Sequence, residues 1–250
     1  MPPGRKIQPI PAFSTQRILQ AEHCARLIWT GKSFVKNSLH TSDEQFLEQF
    51  SGPVSDFLAG TAQTISFDPD DVHDLVVVSG LKPLFRTWNL IDMRQFEVYL
   101  ESTVPLLMGR VLTPLELGVF VKDAGRALVS SQYKGKSGYR VALASRLLFF
   151  ALPGLRLFNF SNDFVPALNL QSRPQVAILT LHELMEQGLL LNDNHLKAIQ
   201  LPKFSPALNS KNYKHRIVGG DWWQRRVLDL AIKLHFRTVV PLNPLPPRPV

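Results

Sequence analysis

The chain has 250 residues, of which 45% are hydrophobic and 19% are charged, a balance that excludes a disordered polyelectrolyte and favours one globular domain. Its apolar runs fall short of the ~20 residues that a membrane-spanning helix needs. A single cysteine, Cys24, excludes an internal disulfide and a cysteine-based zinc site. Because residues 1–6 also lack the apolar core of a signal peptide, we expect a cytoplasmic protein without a membrane partner.

The net charge of +8 is unevenly distributed along the sequence. Residues 41–101 carry eleven acidic and three basic side chains. Residues 121–160 carry seven basic and one acidic, and residues 201–240 carry eight basic and two acidic. Basic blocks of this kind are typical of a face that binds a polyanion, so the second half of the chain predicts contact with nucleic acid.

Helical patterns dominate the first half. A helix over 15–30 begins at a Ser14 or Thr15 cap and ends at Gly31. A second helix begins at Ser42 and is expected to stop at Gly52-Pro53, with a third short helix over 54–62. Residues 72–80 fit either a buried strand around Leu75–Val78 or a short helix.

The second half predicts more helices and few strands. A helix is expected over 91–100, and Thr113-Pro114 gives a strong start signal for one that continues to residue 130. Others are expected over 137–152, 174–186 and 221–236, with Asp221 capping the last. The sequence therefore predicts a mainly α fold: one two-lobed helical domain over 1–240, with a flexible, proline-rich tail over 241–250.

A glycine-containing basic loop is the strongest candidate for chemistry. Two glycines in a short turn allow close approach of a ligand, and amides at a helix N-terminus favour phosphate. The alternative is an ordinary basic loop before a core helix. The predicted phosphate-binding residues are Lys134, Gly135, Lys136, Ser137, Gly138, Tyr139 and Arg140.

The order of elements around this loop resembles a known family. A helix, a glycine-containing hairpin, an apolar helix, a Pro153-Gly154 break, a short apolar run and a polar helix start follow one another. Residues 138–142 resemble the end of the hairpin of the helix-hairpin-helix DNA glycosylases, in the branch with the 8-oxoguanine glycosylase fold. Residues 145–153 resemble the "Ser-Lys-Leu-Leu-x-Phe-x-x-Pro" helix of several members, and 162–165 the segment with the catalytic carboxylate. The resemblance spans about 110–170 and places the hairpin and the catalytic segment within 113–170.

The resemblance implies base excision, with three departures. The hairpin is not the usual Leu-Pro-Gly-Val-Gly. Lyases of this family carry a lysine where this chain has Arg140, which cannot form a Schiff base, so we expect a monofunctional enzyme that leaves an abasic site. Asn162 occupies the position of the family's aspartate, and Asp163 follows it. Either Asp163 supplies the negative charge, or Asn162 orients water, or activity has been lost. Capping of a helix is the alternative role for Asp163.

A flipped base needs stacking surfaces and hydrogen-bonding partners. Trp222 and Trp223 are candidates for the base pocket, although anchoring the last helix in the core is the favoured alternative. We expect the basic loop around 211–216 to contact DNA. The remaining candidates are Lys211, Lys214 and Arg216 for DNA, and Trp88, Asn159 and Phe160 for the base pocket.

These patterns lead to one main hypothesis and two alternatives. The main one is a monomeric DNA glycosylase, without metal or cofactor, that excises a modified base from double-stranded DNA, with hypermodified phage cytosine as an example and antiviral defence as the role. The first alternative is a non-catalytic DNA-binding protein that retains the hairpin. The second is a helical module that binds an acidic protein.

Overall fold

The computed structural model describes residues 13–31, 41–78, 90–129, 137–159, 190–203 and 220–236, together with three residues of the predicted helix 174–186. Within these ranges the chain is mainly helical, as predicted, and an isolated bridge between Ile91 and Val129 is the extent of β pairing. None of the described helices is long and apolar enough to cross a membrane. The helices are α1 (Thr15–Trp29), α2 (Asp43–Leu58), α3 (Pro69–Val78), α4 (Met93–Leu107), α5 (Pro114–Ala127), α6 (Ser137–Ala151), α7 (Asp193–Ala198) and α8 (Gly220–Phe236).

Several predicted helix starts are confirmed by their caps. The Ser14 hydroxyl accepts a hydrogen bond from the Arg17 amide at the start of α1. Thr113 and Glu116 form a capping box at α5, in which each side chain accepts from the other residue's backbone amide. The last helix, however, begins at Gly220, so Asp221 lies in its first turn and not at the predicted cap.

The predicted helix stop at Gly52-Pro53 is wrong, because α2 runs through it to Leu58. Leu47, Phe50 and Val54 are buried along one face, so the apolar stripe that drives packing continues across the proline. Pro53 has no amide to donate within the helix, and a proline in a helix interior costs about 3 kcal/mol. Tertiary burial outweighs that local cost here.

Residues 69–78 form α3, which excludes the strand alternative for this stretch. Val72, Leu75 and Val76 are buried, whereas Val77 and Val78 remain 43% and 40% exposed. Burial at positions i, i+3 and i+4 is the helical pattern, and a buried strand would have hidden the whole run. The short β element proposed at Leu75–Val78 is therefore absent.

The core surrounds α6, which packs against α5 on one side and α2 on another. From Val141 to Leu152 every residue of this segment is buried. Helix α8 packs along α1. Aromatic rings connect α6 to this helix pair: the ring centroids of Phe149 and Trp222 are 4.9 Å apart, and those of Trp222 and Trp29 are 6.1 Å apart. The end of α6 and the start of α8 are thereby held together.

Candidate functional site

Helices α5 and α6, which flank the predicted phosphate-binding loop, contact each other at Gly125. A Cβ atom added at Gly125 would lie 3.4 Å from both the carbonyl carbon and the carbonyl oxygen of Arg140. The last turn of α5 therefore lies directly against the backbone of the first turns of α6. Such close approach needs a very small side chain and fixes the geometry of the two helices next to the loop.

The predicted site residues fall into three groups. Ser137, Gly138, Tyr139 and Arg140 form the first turn of α6. Asn159, Trp222 and Trp223 are also described, and their surroundings are given below. The third group, which includes the Asn162–Asp163 pair, remains a set of predictions because it lies outside the described residues. These are Lys134, Gly135, Lys136, Lys211, Lys214 and Arg216 for DNA, Asn162 and Asp163 for catalysis, and Trp88 and Phe160 for the base pocket.

Trp222 and Trp223, the candidate stacking surfaces, are completely buried. Both rings make edge contacts with Trp29, and Trp222 Nε1 donates to the Phe149 carbonyl at 3.1 Å. Neither indole presents surface to a base in this conformation, so the core role is the one that the structure shows. Sequence alone had favoured that alternative.

The segment that follows α6 is held by one arginine. We define residues 152–159 as the post-α6 segment. Arg225 Nη1 donates to the carbonyls of Leu155 and Leu157 at 2.5 and 2.7 Å, and Nη2 donates to the Pro153 carbonyl at 3.2 Å. Nε donates to the Asp221 carbonyl at 3.2 Å within α8. A single guanidinium thus joins α8 to three carbonyls of a segment that has no helix or strand of its own.

Arg225 is buried, with 3% of its side chain exposed. Burial lowers its pKa to about 10, and the Asp221 carboxylate, 3.4 Å from Nη2, opposes that shift. Removal of a cation from water is costly unless its donors are satisfied. The N–H groups of Arg225 donate mainly to backbone carbonyls and not to a buried carboxylate. They therefore fix the path of the main chain in the post-α6 segment.

Asn159, a predicted base-pocket residue, lies at the end of the post-α6 segment. It is 3% exposed, and its Oδ1 atom has no hydrogen-bond partner among the described residues. A buried acceptor that is left unsatisfied costs about 1–3 kcal/mol. The amide oxygen is enclosed by the protein, and Asn159 lies three residues before Asn162 in the sequence.

A second buried guanidinium, from the next residue along α8, joins α8 to α2. Arg226 binds both carboxylate oxygens of Asp43 and one oxygen of Asp229, and Lys233 Nζ lies 2.7 Å from that same oxygen. Burial opposes the charge of Arg226, but the two carboxylates outweigh it and raise its pKa. Burial lowers the pKa of Lys233 to about 8. This network stabilises the packing of the helices and has no exposed reactive group.

A cleft of about 280 Å³ lies where α2, the end of α4 and the end of α6 meet. Sequence reasoning did not foresee it, because its walls come from three distant segments. Helix α2 contributes both apolar and hydroxyl side chains, and most of the remaining lining is apolar, from the end of α4, the end of α6 and the post-α6 segment. The lining residues are Ser51, Val54, Ser55, Leu58, Leu107, Met108, Gly109, Arg110, Ala151, Leu152, Pro153, Gly154 and Leu155.

Arg225 and Arg226 are the polar residues that sequence reasoning missed. Their signal was a pair of arginines between the apolar residues Trp223 and Val227, on a helix whose apolar side chains are buried. Two adjacent cations there predict buried partners, although not which ones. Among the described residues, no group of three histidine, cysteine or acidic side chains is arranged to hold a metal ion.

Comparisons with known proteins add no family. No family model matches the chain, and neither a curated protein nor a solved structure matches it.

Proposed function

We propose that this protein is a DNA N-glycosylase of the helix-hairpin-helix type, which flips a modified base out of double-stranded DNA and removes it. The observation that carries the proposal is the sequence of elements from α5 to Asn159. A capped helix, a basic loop, an apolar helix whose neighbour approaches through Gly125, and a Pro153-Gly154 break occur in the order of that family.

The electrostatics of the chain favour DNA as the substrate. Lys134 and Lys136 precede α6, and backbone amides at a helix N-terminus favour a phosphate group. The net charge of +8 adds a long-range attraction for a polyanion, although Arg225, Arg226 and Lys233 of the block over 201–240 are buried within the fold.

The proposed reaction breaks the bond between C1′ of the deoxyribose and the base nitrogen. The base leaves with the electron pair and takes up a proton, and a water molecule adds to C1′ and loses a proton, which leaves an abasic site. Positive charge develops on the sugar in the transition state, so the Asp163 carboxylate stabilises it while Asn162 orients the water. Arg140 cannot form a Schiff base, which makes the enzyme monofunctional.

The proposed substrate is a modified base, and a hypermodified phage cytosine is the specific case. The basic, glycine-containing loop that precedes α6 suits a phosphate of the DNA that carries such a base. Excision of such a base from foreign DNA would serve antiviral defence inside the cell.

The test is release of a free base. The protein is incubated with unmodified, oxidised, uracil-containing and phage-modified duplex DNA. Mass spectrometry then detects freed bases, and alkali cleavage detects abasic sites. Asn162→Ala/Asp163→Ala is expected to abolish release and to leave DNA affinity nearly unchanged.

The matched control is Asn192→Ala/Asp193→Ala, which removes an exposed Asn-Asp pair at the start of α7. This control is expected to release base at the wild-type rate. The alternative function, a non-catalytic DNA-binding protein, is favoured by Asn162 at the position of the family's aspartate. Tight, salt-sensitive DNA binding with no base released from any of the four substrates would establish that alternative.

A further inference from the structure

The cleft between α2, α4 and α6 has the size and lining of a small-molecule site. Its volume of about 280 Å³ lies near the lower end of the range of about 300–1,000 Å³ that is typical of ligand pockets. An apolar cavity of about 150 Å³ accommodates benzene, so a cleft of nearly twice that volume suits a ligand of about ten to twelve non-hydrogen atoms. Val54, Leu58, Leu107 and Met108 in the lining favour an apolar body for that ligand.

Three helices end at this cleft. Leu58, Leu107 and Ala151 are the last residues of α2, α4 and α6, and all three line it. The last four carbonyls of an α-helix have no partner within the helix, and each C-terminus carries about half a negative charge. The convergence of three such ends makes the potential in the cleft more negative, which favours a positively charged ligand.

The two hydroxyl side chains in the lining act as hydrogen-bond acceptors. Ser51 and Ser55 are 1% and 6% exposed. Ser51 Oγ donates to the Leu47 carbonyl, and Ser55 Oγ donates to the Ser51 carbonyl at 2.8 Å. A hydroxyl has one proton and two lone pairs, so a serine whose proton is already donated can only accept from a ligand. A ligand that binds these hydroxyls must therefore carry a donor.

The arginines near the cleft have carboxylate partners of their own. Arg110 lines the cleft but is 57% exposed, and its Nη2 lies 3.1 Å from Glu116 Oε1. Arg225 binds two carbonyls that belong to the lining, and the Asp221 carboxylate lies 3.4 Å from its Nη2. Residues 41–101, which include α2 and the start of α4, carry eleven acidic and three basic side chains. The charges around the cleft therefore do not favour an anion.

We propose that this cleft binds a small organic cation, a primary ammonium ion with an apolar body. The ammonium group donates to the hydroxyls of Ser51 and Ser55 near the three helix ends, and the apolar body lies against the side chains from α2 and α4. An ammonium ion has three donors and no acceptor, which matches a site whose polar groups accept. This proposal does not rest on the proposed function, because no step of base excision involves the cleft.

The experiment compares three probes of nearly equal size that differ in their polar group: phenylbutylamine, phenylbutanol and phenylbutyrate. Isothermal titration calorimetry of the full chain at pH 7 and low salt measures the affinity of each. The amine is expected to bind about tenfold more tightly than the alcohol, because charge-assisted hydrogen bonds are about twice as strong as neutral ones. The carboxylate is expected to bind least tightly.

A pair of tryptophan variants tests whether binding occurs in the cleft. Leu107 lines the cleft, whereas the neighbouring Leu106 is 69% exposed and does not. Leu107→Trp is expected to weaken amine binding by at least about tenfold, because the added ring occupies volume that the ligand needs. Leu106→Trp is the matched control and is expected to stay within about twofold of wild type. Circular dichroism establishes that each variant is folded.

A second pair of variants tests the acceptors and covers the case in which Leu107→Trp does not fold. Ser55→Ala removes one acceptor and is expected to weaken amine binding by about fivefold to tenfold, the range for a hydrogen bond to a charged group. Ser102→Ala is its control. The Ser102 hydroxyl donates to the Tyr99 carbonyl in the same way, but it is exposed on α4 and does not line the cleft.

The outcomes decide the proposal whether or not the protein releases a base from DNA. Preference for the amine supports it when Leu107→Trp or Ser55→Ala weakens binding and the controls do not. Preference for the carboxylate overturns it, because Arg110 would then determine the charge of the ligand. Equal binding of the amine and the alcohol, no binding of any probe, or amine binding that is unchanged in both variants also overturns it.

Discussion

Arg226 and Asp43 form a bidentate ion pair although 183 positions separate them in the sequence, with Nε–Oδ2 and Nη2–Oδ1 distances of 2.6 and 3.1 Å. Both side chains are almost fully buried. The pair connects the first residue of α2 to the middle of α8, the last helix of the described residues.

Loss of one partner of this pair should destabilise the protein strongly. Asp43→Asn leaves Arg226 buried with half of its countercharge, and breaking a buried pair costs about 3–5 kcal/mol. The matched control is Asp123→Asn, which breaks the exposed pair with Arg126 and should cost less than about 1 kcal/mol. Urea denaturation of the two variants measures both values, and equal losses would contradict the energetic role of the buried pair.

Lys233 should make stability depend on alkaline pH. Its pKa is about 8 in the folded protein and 10.5 in an unperturbed lysine, so between these values the unfolded chain binds more protons. The free energy of unfolding therefore rises with pH across that window, by up to about 1.4 kcal/mol per pH unit. Charged neighbours Asp229, Arg226 and Arg146 surround the amine.

Comparison of wild type with Lys233→Met isolates this effect. Burial raises the pKa of Cys24 to about 11 and that of Tyr99 to about 12, and both changes make stability fall with pH at the alkaline end. Those contributions are common to both proteins and cancel in the difference. Urea denaturation at pH 8 and pH 10 gives the free energy of unfolding of both proteins. The change in this free energy from pH 8 to pH 10 should be more positive for wild type, and equal changes in the two proteins would contradict the prediction.

The two buried tryptophans should differ in their response to the same substitution. Trp222→Phe removes the donor to the Phe149 carbonyl and leaves that carbonyl buried, at a cost of about 1–3 kcal/mol in addition to lost packing. Trp223→Phe removes an Nε1 that has no partner among the described residues, so only packing is lost. Thermal denaturation should rank Trp222→Phe as the less stable variant, and the opposite order would refute the hydrogen-bond argument.

Gly125 should tolerate a methyl group but nothing larger. In Gly125→Ala the new Cβ lies at ordinary contact distance from Arg140, and alanine favours a helix over glycine by about 0.5–1 kcal/mol. Gly125→Leu must push α5 and α6 apart, which costs about 1–3 kcal/mol. The leucine variant should also bind duplex DNA less tightly, whereas the alanine variant should bind it normally. Denaturation and a DNA-binding titration check both effects.

Local signals in the sequence predicted most helix boundaries. Ser14 and Thr113 were predictable as caps because each hydroxyl accepts from a backbone amide three residues later, an interaction that needs no partner from a distant part of the chain. The proline rule failed at Pro53, where burial of Phe50 and Val54 outweighs the lost hydrogen bond. Rules that concern one turn succeed when tertiary packing does not oppose them.

The candidate site was less predictable, for a related reason. The resemblance around residues 138–165 directed attention to the hairpin and the catalytic pair, which are continuous in sequence. Arg225 lies 70 positions after Leu155, and no local pattern indicates that it holds a carbonyl there. The nearby tryptophans were candidates for a pocket wall as well as for the core, which the sequence favoured, and their burial in the structure decides for the core.

The distance along the chain between Leu155 and Arg225 also has a consequence for biosynthesis. Translation proceeds from the N-terminus, so a ribosome must add 70 further residues before the guanidinium that holds Leu155 exists. Trp222, which binds the Phe149 carbonyl, is likewise made 73 residues after it. The nascent chain can form α1 to α6 while its post-α6 segment still lacks these partners. Folding of that segment must therefore follow the synthesis of α8, and a product that terminates before α8 would lack the donor that holds the carbonyls of Pro153, Leu155 and Leu157.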